Sequence, residues 1–160
     1  MILINLLPHR EAARKRQREM FFAQVGGAEY GIPAGHWRQT VSTGNARKVT
    51  YYDALWRPLL VREYDAGNEA GTQRASVTAY DTAGRVTFQS YPVAGVGTVQ
   101  DAGTGVRTTY DALGRVVQVS QDSEIGALVS TTEYLPGRRV RTTNARGIPT
   151  VVTYTGADAA

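Results

Sequence analysis

Three stretches of this chain repeat one pattern: YDALWRPLLVR from Tyr52, YDTAGRVTFQS from Tyr80 and YDALGRVVQVS from Tyr110. In each, an aromatic residue meets Asp, two small or apolar residues follow, and a fourth position precedes Arg and a strand-like run such as Arg115, Val117, Val119. The pattern predicts a β-hairpin. Asp at the first turn position can accept bonds from the turn's own amides, and Gly at the fourth supplies a positive φ. Gly84 and Gly114 meet that requirement and Trp56 does not. A positive φ is expected at Gly114.

Around these turns the sequence predicts paired strands at 50–52 with 59–64, 76–80 with 85–91, and 106–110 with 115–121, joined by the connectors 67–73 and 92–105. Pro58 marks its strand as an edge or irregular one. A degenerate fourth copy runs from Tyr134 through Gly137, Arg138 and Arg139, and a half copy occupies 144–154. Seventeen Gly among many Thr, Val and Tyr favour short strands and tight turns beyond residue 25, so the fold class expected is mainly β.

The aligned copies resemble the RHS/YD-repeat family, the shell-forming repeats of bacterial polymorphic toxins and related surface proteins, over roughly residues 44–155. The resemblance implies antiparallel hairpin repeats forming a short piece of a β-shell or solenoid, with no chemistry of its own. Its structural motif residues are Tyr52, Asp53 and Arg57; Tyr80, Asp81, Gly84 and Arg85; and Tyr110, Asp111, Gly114 and Arg115. Complete family members carry a self-cleaving core segment and a toxin domain after the repeats, and neither is expected here.

The first 25 residues read differently. After Pro8, a run rich in Ala, Arg, Lys, Gln and Glu with no Gly before Gly26 predicts a helix over 9–25. The segment INLLPHRE resembles the cytoplasmic N-terminus of PilN, a type IV pilus assembly protein. That resemblance implies that Ile4, Asn5, Leu6, Leu7 and Pro8 occupy a groove of a PilM-type actin-like partner. Where that family enters its membrane helix, this chain reads Gly26, Gly27, Ala28, Glu29, Tyr30, Gly31. Residues 26–48 read as a Gly- and Pro-containing linker into the repeats at 49–155, with Trp37 a cap over the open end of the sheet or, alternatively, a ligand platform.

Charge and composition narrow the function. The net charge of +4 divides into +3 over residues 1–20 and +1 over 21–160, so the repeats are nearly neutral and no nucleic-acid face is expected. No apolar run is long enough to span a membrane, and no signal peptide is evident, which as written implies a cytoplasmic address although RHS proteins are usually exported. The absence of Cys removes thiolate catalysis and Cys-based zinc sites. His9 and His36 have no second ligand at metal spacing, and no catalytic motif is present, so no catalytic residue, metal or cofactor is expected. Asp53, Asp81 and Asp111 read as turn residues paired with the Arg four positions on, ahead of a metal or acid/base role, and Tyr52, Tyr80 and Tyr110 as a packed aromatic stack, with sugar binding the lesser alternative. The expected function is a non-catalytic structural fragment of an RHS/YD shell. Its expected partners are further repeats or other copies, through open strand ends. The alternative is a soluble tail that binds a PilM-type partner.

Overall fold

A computed structural model describes residues 22–155, and the protein is mainly β with antiparallel strands. The strands are β1 (Phe22–Val25), β2 (Trp37–Thr43), β3 (Ala46–Tyr52), β4 (Pro58–Asp65), β5 (Arg74–Tyr80), β6 (Val86–Ser90), β7 (Gly105–Tyr110), β8 (Val116–Ser123), β9 (Gly126–Leu135), β10 (Arg139–Thr143) and β11 (Pro149–Thr153). One short helix, α1 (Glu69–Thr72), follows β4. The described chain forms two compact units, residues 22–77 with 92–103, and residues 78–91 with 104–155.

In the first unit β1, β2, β3 and β4 pair in sequence order, and the first half of β5 pairs with β4 through Leu60↔Val77 to Glu63↔Arg74. Its core is the set of buried apolar residues Ile32, Val49, Tyr51, Leu60, Ala75, Val77 and Ala102. Strand residues alternate between faces, so Val49 and Tyr51 share one face of β3, and Ile32 and Ala102 come from the loops. Those loops are tied down by backbone bonds: Val99 donates to the Tyr30 carbonyl at 2.8 Å, and Ala75 and Val93 exchange bonds in an isolated bridge.

In the second unit the end of β5 pairs with β6, and β6 to β11 pair successively. Among the described residues this unit contributes no apolar side chain to the fully buried set. Ser90 of β6 and Gly105 of β7 are buried, β8 to β10 are half-buried at best, and β11 is exposed along its whole length. Each unit therefore has a different source of order: one has a core, and the other relies on strand pairing and cross-strand side-chain contacts.

Several expectations change. The stretch 26–48 is no linker, because β2 and the start of β3 lie inside it and its Gly and Pro residues mark turns between strands. The helix expected over 9–25 falls mostly outside the described residues. At its far end Phe22–Val25 is strand β1, which pairs residue for residue with Trp37–Thr40. Of the two readings of Pro58 the irregular strand holds and the edge does not: β4 lies between β3 and β5, and Pro58 takes its first position, opposite Tyr52 and beside a register shift at Tyr51/Tyr52. The connector 67–73 holds α1, capped by Asn68, whose side chain accepts from the Gly71 amide.

The turns fall where the repeats place them. Gly84 and Gly114 have φ of 83° and 81°. Trp56, at the same position, adopts φ 60° although its side chain disfavours it. Replacing Gly114 with Val should cost about 1–2 kcal/mol, the penalty for a left-handed L-residue. Urea unfolding of Gly114→Val should show a lower midpoint with an unchanged slope, and an unshifted midpoint would mean the turn tolerates a β-branched residue there.

Candidate functional site

Each repeat turn is held by one carboxylate. Asp53 Oδ1 accepts from the amides of Leu55 (2.8 Å) and Arg57 (2.9 Å), while Oδ2 accepts from Arg57 Nε (2.7 Å). Asp81 does the same with Ala83, Arg85 and Arg85 Nε at 2.9, 2.9 and 2.7 Å, and Asp111 with Leu113, Arg115 and Arg115 Nε at 2.9, 2.9 and 2.8 Å. The backbone closes around them: the Asp amide donates to the Arg carbonyl, and the fourth residue's amide returns to the Asp carbonyl. This is a three-residue loop ending in a left-handed residue, and the strand register shifts beside it at Tyr51/Tyr52, Ala79/Tyr80 and Thr109/Tyr110.

A fourth turn has the same build with a neutral residue. Asn144 Oδ1 accepts from the amides of Arg146 and Ile148, both at 3.0 Å, and Gly147 has φ 77°. Ile148 stands where the others have Arg, so the backbone locks remain and the ion pair is gone. In an antiparallel meander successive turns alternate ends, so this turn, between β10 and β11, is out of phase with those at 81–84 and 111–114. The in-phase copy is the degenerate one: its turn spans 136–138, Gly137 and Arg138 both have positive φ, and Arg139 Nε donates to the Pro136 carbonyl at 3.1 Å.

The Asp–Arg bond also aims the guanidinium. Extending the β6–β7 register sets Arg85 opposite Tyr110, and the Arg85 guanidinium lies 4.6 Å from the ring centroid. The Tyr110 hydroxyl then donates to the carbonyl of Val86, the residue after that Arg, at 2.9 Å. One hairpin on, Arg115 is opposite Tyr134, 3.9 Å from its ring, and the Tyr134 hydroxyl donates to the Val116 carbonyl at 3.2 Å. Thus at Tyr110 an Arg covers the ring where a tyrosine stack was expected. Tyr52 instead contacts Trp56, whose ring stacks on Trp37 with centroids 4.9 Å apart and planes 17° apart.

A second cluster fills the first unit. His36 is buried, with Nδ1 3.0 Å from the Pro33 carbonyl and Nε2 3.5 Å from Glu29 Oε1. Glu29 also lies 3.5 Å from Arg38 Nη1 and accepts from the Tyr51 hydroxyl at 3.4 Å. Arg62, buried between the rings of Tyr30 and Tyr64, donates to Glu69 at 2.6 Å and to Gln73. The spacing of His36 had suggested no partner, since Glu29 reaches it only through the fold of the Gly-rich loop. Gly26 is the one local signal: a Cβ there would collide with the His36 imidazole.

Electrostatics follow these bonds. Burial pushes the Asp53 carboxyl up, but the Arg57 and Leu55 amides and the Arg57 guanidinium outweigh it and hold the carboxyl below its ordinary range. Bonds from the Arg85 and Arg115 amides and guanidinium groups likewise lower Asp81 and Asp111, and the Arg107 guanidinium with the Gly105 amide lowers Asp122. Desolvation raises the Tyr51 hydroxyl, which stays neutral. Among the described residues no group of three or more His, Cys, Asp or Glu gathers as a metal site, and no helix is long and apolar enough to cross a membrane. Ile4, Asn5, Leu6, Leu7 and Pro8 lie outside the described residues. Comparison with family models, curated proteins and solved structures finds no match.

The Arg–Tyr link should be measurable as a coupling. In a double-mutant cycle of Arg85→Ala and Tyr110→Leu, we expect about 0.5–1 kcal/mol of interaction between the two sites. Additive effects would make the contact incidental. Acid should act on the same turns. Four aspartates with lowered pKa values contribute stability that is complete above about pH 5 and is lost as the pH falls through about 4 and below. Asp53→Asn keeps the two backbone bonds, as Asn144 does, whereas Asp53→Ala loses all three and should cost about 1–2 kcal/mol. Thermal melts from pH 3 to 7 should place Asn between wild type and Ala at neutral pH and make the acid limb shallower in both variants, with Asp81, Asp111 and Asp122 still titrating.

Proposed function

We propose that this chain does structural work as part of a non-catalytic YD-repeat scaffold of the RHS type. The observation that carries this reading is the recurring link between neighbouring hairpins, Arg85 to Tyr110 and Arg115 to Tyr134. Each link joins the exit of one turn to the next strand in register, so a hairpin is ordered by its neighbour. That is the logic of a repeat array, in which stability is largely a sum of neighbour terms. The exposed apolar residues of the second unit, among them Leu128, Val129, Val151 and Val152, fit a sheet whose order comes from extension more than from an enclosed core. Further repeats of the same kind are the partners this reading implies.

The cluster of His36, Glu29, Tyr51 and Arg62 is the place where an enzyme reading would have to be built, because it holds the described imidazole and a carboxylate beside it. Under the scaffold reading its work is to anchor the 26–36 loop on the sheet. Two measurements separate the readings. Hydrogen exchange on Arg115→Ala should show faster exchange in the hairpins on both sides of that residue, β7–β8 and β9–β10, with the first unit unchanged. A broad screen with hydrolase and lyase substrates should find no turnover, and any activity abolished by Glu29→Gln while the fold is retained would overturn the scaffold reading.

A further inference from the structure

Among the described residues strand β11 pairs only with β10, and the pattern of exposed groups on its other edge matches itself. Its five residues are all exposed, it carries no charge, and its pairing with β10 runs without a bulge. Proline stands only at the first position. The usual guards of an edge strand, an inward or edge Lys, a bulge or a central Pro, are missing from it.

The hydrogen-bond parity of the strand tells which groups face outwards. The Asn144 amide donates to the Ile148 carbonyl at 3.1 Å, and the Tyr154 amide donates to the Arg138 carbonyl at 2.9 Å. Bonded and non-bonded pairs alternate in an antiparallel ladder, so residues 148, 150, 152 and 154 turn their backbone groups to β10. Pro149, Val151 and Thr153 therefore turn theirs away. Of these only Pro149 lacks an N–H to offer.

We propose that β11 is a homodimerisation edge, pairing antiparallel with β11 of a second copy of this chain about a two-fold axis at Val151. In this register the two Val151 residues exchange backbone bonds, and each Thr153 amide donates to the other copy's Pro149 carbonyl, while the Thr153 carbonyl, opposite the proline nitrogen, is left to water at the end of the ladder. The side chains pair without charge: Val151 faces Val151, Val152 faces Thr150, Pro149 faces Thr153, and Ile148 faces Tyr154. Ile148, Val151, Val152 and Tyr154 are 56%, 51%, 46% and 59% exposed, so this register covers every large apolar group of the segment at once. Like charges stay apart. Arg139 and Arg141 lie one strand back in β10, so across the dimer they are three strand spacings from their counterparts, about 14 Å. That exceeds the Debye length of about 8 Å at physiological salt.

The pairing goes beyond the scaffold reading, and at this edge a second copy and a further repeat exclude each other, since both would pair with the outward groups of β11. Sedimentation velocity of the full chain across a concentration series should show a monomer passing to a dimer. Val151→Lys should abolish the dimer, and so should Val151→Pro, which removes an outward N–H and no bond to β10. Circular dichroism of both variants should stay that of the parent. The register has its own test, since the chain contains no Cys. On oxidation Val151→Cys should cross-link, because directly paired Cα atoms lie about 5.5 Å apart, within disulfide reach. Val152→Cys should cross-link far less. A monomer at every concentration overturns the proposal, as does a dimer that survives Val151→Lys, association beyond a dimer, or preferential cross-linking at 152. None of these outcomes touches the Arg–Tyr links, so the scaffold reading stands or falls by its own measurements.

Discussion

The structure depends first on a carboxylate that does two jobs. Oδ1 of each repeat Asp satisfies two turn amides, which fixes the loop as a three-residue one and its last residue as left-handed. Oδ2 holds the Nε of the Arg that leaves the turn. With that edge of the guanidinium tied, its flat face is left to cover the tyrosine of the next hairpin. Turn geometry, strand register and contact between repeats thus follow from one side chain. Asn144 shows which part is separable: a neutral amide keeps both backbone bonds, yet with Ile148 following there is no cation to direct.

The two units then solve the problem of stability differently. In the first, loops fold back over the sheet and bury Ile32 and Ala102 with Tyr51 and Leu60, so apolar burial carries most of the weight at roughly 25 cal/mol per Å². In exchange that core must accommodate His36 and Arg62, and it surrounds them with Glu29, Glu69, Gln73 and three tyrosines. The second unit has no such cover among the described residues. There, cross-strand contacts of about 0.2–1 kcal/mol each must accumulate along the sheet, and they include Arg107 over Phe88 with its ion pair to Asp122 as well as the Arg–Tyr links.

How much of this was legible depends on whether the information was local. The turns at 53–56, 81–84 and 111–114 could be read because Asp, Gly and Arg act within five residues of one another. The strand at Trp37–Thr43 could not: its Gly and Pro neighbours suggested a linker, and pairing with Phe22–Val25 on one side and Ala46–Tyr52 on the other makes it a strand. Distance in sequence also hid the cluster around His36, where Tyr51 and Arg62 arrive from β3 and β4. The same holds for Tyr134, whose role depends on a register with Arg115 nineteen positions earlier. The open strand end at 150–154 could be read from its uncharged Thr, Val and Tyr run, whereas the exposure of β9 and β10 had no signature in hydrophobic pattern, because an alternating strand looks the same whether its apolar side is covered or bare.

Trp56 shows how strongly the carboxylate lock governs the turn. A bulky residue in the left-handed region costs about 1–2 kcal/mol, and a sequence rule based on Gly would reject it. Asp53 nevertheless makes all three of its bonds, and the Trp56 amide still returns to the Asp53 carbonyl at 3.1 Å. Relaxing φ at Trp56 would break that set, worth about 1 kcal/mol for each neutral bond and more for the charged one. It would also unstack the ring from Trp37, a contact worth about 0.5–1.5 kcal/mol beyond the area it covers. The opposing sums favour the strained backbone. Gly at this position is therefore the inexpensive solution to a conformation that the Asp imposes, and where another residue occupies it the conformation persists as long as the side chain finds a surface to lie on. For Trp56 that surface is Trp37, the residue whose strand the surrounding glycines had concealed.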